Sequence, residues 1–114
     1  MRPEDVFVGV ALLSIAVGLP MADRRIPPNR WYGVRIRSTF ADEHIWYEVN
    51  AQAGRDFTLL GLACLVLALG LRVLVPRVQY VAACALLLGV GSLVCVVRAL
   101  RLAGRLWRER HGGS

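Results

Sequence analysis

Three apolar runs decide what this chain can become. The first, Val6 to Ala22, has 17 residues, about the shortest helix that crosses the ~30 Å hydrocarbon core of a bilayer. The second, Phe57 to Val75, is interrupted only by Arg72, close enough to its end for the guanidinium to snorkel to the headgroups. The third, Val78 to Val97, is 20 residues without a charge, with Gln79 and Ser92 as its strongly polar groups. Val75, Pro76 and Arg77 leave room only for a tight turn, so the second and third runs should form an antiparallel hairpin. The reading is an all-α integral membrane three-helix bundle, one domain over residues 1–114, with spans at about 6–22, 57–75 and 78–97.

Composition supports this. Hydrophobic residues make up 56% of the chain and charged residues 19%, and the mean hydropathy of +0.50 is too apolar for a soluble enzyme. A net charge of +6 would suit nucleic acid or a membrane surface. The arginines flank the spans, which favours the membrane and argues against nucleic acid. The first run is read as a span and not as a cleaved signal peptide. Glu4 and Asp5 stand where a signal peptide needs positive charge, and Arg24 and Arg25 follow the run directly.

The arginine distribution also sets an expected orientation. Six of the 14 basic residues lie between Ala22 and Asp56 and five in the tail from Arg98, against Arg2, Arg72 and Arg77 on the other side. The loop over 23–56 and the C-terminus are therefore expected in the cytoplasm, with the N-terminus outside. The tail over 98–114 reads as a basic amphipathic helix. Arg98, Arg101, Arg105 and Arg108 fall within an arc of about 80° at 100° per residue, with Leu100, Leu102, Ala103, Leu106 and Trp107 opposite. Such a helix suits the headgroup layer, with a bilayer of anionic headgroups as partner. The last residues, His111 to Ser114, read as a frayed end.

Nothing in the sequence points to catalysis, a metal or a cofactor. Cys64, Cys84 and Cys95 all lie in the expected spans, where cysteine behaves as a small hydrophobe. His44 and His111 are isolated in sequence. Ala82, Ala85, Gly89 and Ser92 form a small-residue stripe on the third span, as do Gly61, Cys64 and Ala68 on the second. Such stripes allow close helix approach in lipid, so an interface between the second and third spans is expected along them. Whether that surface also pairs with another copy in a homo-oligomer is left open.

The stretch from Pro27 to Phe57 is more patterned than a connector needs to be. Pro27 and Pro28 stop the preceding helix, and Asn29 can close a turn with its own side chain. Trp31 and Tyr32 are aromatics of the headgroup level, and Gly33 permits a turn or close contact. From Asp42 onward, Ile45, Trp46, Val49, Ala53 and Phe57 share an arc of about 120°. That describes an interfacial amphipathic helix leading through Gly54 into the second span, with Asp42 and Glu43 in its first turn.

The series Asn29, Tyr32, Gly33, Arg35, Thr39, Trp46, Asn50 and Gly54 keeps the spacing N-x-x-Y-G-x-R-(x)3-T-(x)6-W-(x)3-N-(x)3-G. It resembles the signature of the SdpI family of bacterial membrane proteins, which lies in a loop before a transmembrane hairpin. Ile36 and Arg37 stand where that family has Thr and Pro, and Ala41 stands where a Ser N-cap is usual. The resemblance implies a multi-pass bacterial membrane protein of immunity type, protecting its cell from a secreted peptide toxin. The binding residues it suggests are Asn29, Tyr32, Gly33, Arg35, Arg37, Trp46, Asn50 and Gly54. Arg35 and Arg37 offer planar forks for phosphate or carboxylate. Alternatively, Asn29 and Arg35 tie the loop to the bundle through Glu48 or Asp56, and Trp46 is a core anchor. Three function classes follow: protection by binding a toxin, a sensor or scaffold recruiting a cytoplasmic regulator, and a small transporter subunit. Transport ranks last, since it normally needs an ionisable group within the spans.

Overall fold

The computed structural model describes residues 3–29 and 33–112. Four helices account for nearly all of it: α1 (Pro3–Ala22), the short α2 (Arg37–Ala41), α3 (Glu43–Leu74) and α4 (Arg77–His111). Three of them are long and apolar enough to cross a membrane.

Local chemistry sets each boundary. α1 ends in a Schellman closure, in which Arg25 N–H donates to Pro20 C=O and Arg24 N–H to Met21 C=O, at 3.0 and 3.1 Å. Arg24 takes the left-handed position of that motif at φ 59°, where glycine is usual. Its guanidinium is held by the Glu48 carboxylate. Asp42 caps α3, its Oδ1 accepting from the backbone N–H of His44 at 2.9 Å and of Ile45 at 3.4 Å. It is thus the N-cap and not a first-turn residue, and it takes the role that the sequence reading found vacant at Ala41. Val75 is extended ahead of Pro76, as the residue before proline must be, and α4 starts immediately.

α3 is the central helix, with α1 and α4 both antiparallel along it and barely touching each other. The expected interfacial helix and second span are one unbroken helix of 32 residues, and the third span and basic tail are one of 35. At 1.5 Å per residue, α3 and α4 exceed the ~30 Å core by roughly 18–23 Å. Their projecting ends form a cap with the 23–42 loop. There α3 covers part of the tail's apolar face, while Leu100 and Trp107 stay exposed. Ala99 and Ala103 are buried against Ile45, Val49 and Ala53, with Leu102 and Leu106 packed alongside. Both helices carry an apolar stripe at the same level, and each covers the other.

The small-residue stripes do not meet as expected. Gly61 and Cys64 of α3 face α1: a Cβ on Gly61 would lie 2.8 Å from Ala11 O, and Cys64 Sγ is 3.8 Å from Phe7 O. On α4, Ala82, Ala85 and Gly89 point outward beside Leu86 and Val90. The side of α4 that meets α3 runs instead through Tyr80, Cys84, Gly91, Cys95, Ala99 and Ala103. Periodicity finds a stripe of small residues, but one rotated around the helix serves equally well when a large partner such as Leu60 fills the space over Gly91.

The outer surface is lipid-like. Val66, Val73 and Val78 are 73–80% exposed, with Leu59, Leu86 and Leu93 also well exposed. That continuous apolar belt is stable only against hydrocarbon.

Candidate functional site

Among the described motif residues, Gly33, Thr39, Trp46 and Asn50 converge on one structure, a loop fixed against the first turns of α3. Asn50 is its hub, at 2% exposure. Its Oδ1 accepts from Val34 N–H, and its Nδ2 donates to Trp46 C=O at 2.9 Å and more weakly to Val34 C=O at 3.4 Å. The side chain thus imitates a strand partner for Val34. Gly33 is required for this approach. Its φ is +105°, and a Cβ there would lie 2.5 Å from Asn50 Oδ1. Thr39 is fully buried; its hydroxyl accepts from Ile36 N–H and lies within donating reach of Val34 and Ile36 C=O, all at 2.9 Å. Trp46 is also fully buried. Its Nε1–H donates to Ile26 C=O at 2.8 Å, and its ring lies against Phe40 at 5.7 Å. It is the core anchor of the two alternatives.

Gly54 acts one step further from the loop. Cβ atoms on Gly54 and Gly18 would meet the opposing backbone at 2.4–2.6 Å, so these two glycines permit the α1–α3 crossing that holds the loop's start over α3. Asn29 Nδ2 donates to Pro27 C=O at 2.8 Å, closing the turn locally. Tyr32 lies outside the described residues, as do Arg30 and Trp31. Arg35 and Arg37 are exposed. Glu48 is held by Arg24 and Asp56 by Arg98, because the helix end at Arg24 and the α4 face at Arg98 stand beside those carboxylates.

Under the loop lies an apolar cavity of about 490 Å³. Val17 and Met21 of α1, Phe57 of α3, Ala99 of α4, and Val34 and Ile36 of the loop contribute to its wall. All three long helices contribute to its wall, and α1 and α4 meet little elsewhere than at Phe7 and Tyr80.

Sequence reasoning missed a clamp at the far end of the cap. Asp42 Oδ2 accepts from Arg110 Nε at 2.7 Å and lies 2.8 Å from His111 Nε2, while the His111 ring stacks on Trp107 at 4.1 Å. His111 is therefore a helical residue with a partner and not part of a frayed end. The groups are 68 and 69 residues apart, so no local signal announced the pairing. The Arg110 hydrogen bond, followed by His111 and the two backbone N–H groups, holds the Asp42 carboxyl well below the usual carboxylate range. A lowered folded pKa means stability that is complete above the unfolded value near 4 and is lost as pH falls through the folded one. Thermal melting of the purified chain should therefore weaken as pH drops below about 4. Asp42→Asn should melt lower at pH 7 and lose that part of the acid dependence.

Asn50→Leu should also be costly. It keeps the volume but orphans Val34 N–H, at about 1–3 kcal/mol for a buried unpaired group. Thermal melting measures this, and faster proteolysis within the 23–42 loop should accompany it.

The SdpI/YfhL protein family matches residues 25–101 of the chain. No curated protein and no solved structure matches it. The matched region contains the whole motif from Asn29 to Gly54, all of α3 and α4 as far as Arg101. With the glycine crossing, the Asn50 hub and three membrane-length helices in place, the chain belongs to the SdpI/YfhL family of multi-pass membrane proteins.

Proposed function

We propose that this chain protects the membrane that holds it against a membrane-active peptide toxin, by binding rather than by catalysis. The observation that carries this reading is the apolar cavity under the motif loop, walled there by Gly33, Val34 and Ile36, with Arg35 and Arg37 exposed on the same loop. An amphipathic peptide presents an apolar face to such a cavity and acidic or C-terminal carboxylate groups to the arginine forks. The arginine count supports an orientation with the motif loop and C-terminus in the cytoplasm and the N-terminus outside. Recruitment of a cytoplasmic regulator is a second reading, favoured by the cap that α3 and α4 build beyond the membrane.

The test is survival and depolarisation of a sensitive bacterial host, with and without this chain, across a panel of membrane-active peptides. Protection against at least one peptide is expected. Equal sensitivity across the panel, together with a soluble protein crosslinked to the loop, would favour the second reading. Labelling of a Gly113→Cys variant by impermeant reagents added outside would overturn the orientation.

A further inference from the structure

A second recess lies on the arginine face of α4, away from the motif loop. It is a groove of about 500 Å³ between Gln52 of α3 and Arg98, Arg101, Arg105 and Arg108, passing over Gly104. Two of these guanidiniums have carboxylates: Arg98 meets Asp56 at 2.8 Å, and Arg105 meets Glu109 at 3.8 Å. Arg101 and Arg108 have no ion-pair partner among the described residues. Like charges on neighbouring turns of one helix face repel, and an anion in the groove relieves that repulsion. Gln52 adds a different demand. Its Oε1 is buried with no hydrogen-bond partner among the described residues, and a buried acceptor of this kind needs a donor.

We propose that this groove holds the headgroup of one anionic phospholipid that carries hydroxyls, of the phosphatidylglycerol class. The phosphate sits among Arg101, Arg105 and Arg108, and a headgroup hydroxyl donates to Gln52 Oε1 when the Gln52 side chain turns into the groove. The depth fits, because Arg98 is the first charge after the uncharged run of 78–97. Val97 and Leu100 are 39% and 49% exposed at that level, which gives an acyl chain an apolar surface. Free phosphate or RNA would supply phosphate and leave that surface uncovered. The inference rests on membrane placement alone and is independent of toxin binding.

Native mass spectrometry of the full chain in detergent tests it, with phosphatidylglycerol, phosphatidylcholine and phosphatidylmethanol, which has the charge without the hydroxyls. One phosphatidylglycerol per chain should be retained about tenfold more tightly than phosphatidylcholine, the worth of one charge-assisted hydrogen bond. Arg101→Gln with Arg108→Gln should remove that preference. Arg25→Gln with Arg77→Gln, an equal loss of charge elsewhere, should keep it. The wild type should favour phosphatidylglycerol over phosphatidylmethanol, and Gln52→Leu should erase the difference. Matched melting curves confirm that the variants are folded. Equal losses in both double variants would overturn the site, as would no preference over phosphatidylcholine. Displacement of the lipid by millimolar inorganic phosphate, or tighter binding of an RNA oligonucleotide, would also overturn it.

Discussion

Trp46→Ala should lower stability by about 3–5 kcal/mol, the range for removing a large buried aromatic. The indole is fully enclosed, touches Phe40 and reaches back to Ile26 C=O. Its removal therefore empties the centre of the cap and releases the loop's first anchor together. Against a total of about 5–15 kcal/mol for an ordinary domain, the cap should open while the spans stay inserted. The measurement is limited proteolysis of membrane-embedded protein at Arg24 and Arg25, which should become fast. Trp46→Phe separates the two causes. It restores most of the volume and leaves Ile26 C=O without its donor, a cost of about 1–3 kcal/mol.

Gly54→Val should separate α1 from α3. The first added carbon already falls 2.4 Å from Ala22 N and 2.5 Å from Gly18 O. Backbone atoms of a helix cannot rotate aside as a side chain would, so the whole of α1 must shift. Overpacking costs about 1–3 kcal/mol and occasionally more, and the branched side chain of valine adds to the first clash. Gly70→Ala is the control. A Cβ there meets nothing within 4 Å, and alanine improves helix propensity by up to about 1 kcal/mol. Melting in detergent should fall sharply for Gly54→Val and hold or rise for Gly70→Ala. Equal behaviour of the two would mean that the α1–α3 crossing is looser than described.

The spans, the turn at Val75–Pro76 and the buried face through Ile45, Val49 and Ala53 were legible in the sequence, because hydrophobic length and period report them directly. The jobs of the motif residues were less legible. Asn50, Gly33 and Gly54 read as candidate ligand contacts; the structure adds that the first two hold the loop and the third lets α1 approach α3. The spacing of a motif does not say whether its polar groups face a ligand or one another. The rotation of α4 was not readable either, since its small residues occupy more than one face. Long-range polar pairing was invisible: Asp42 with Arg110, and Arg24 with Glu48, depend on how far the helices extend beyond the membrane.

These placements divide the motif. Gly33, Asn50, Trp46 and Gly54 build the loop, and Arg35 is exposed upon it. The most direct test is protection by Arg35→Ala in the survival assay at membrane abundance matched to the wild type. The account predicts that protection is lost. Retained protection, or loss of the variant from the membrane, would contradict it, because Arg35 would then be either idle or structural.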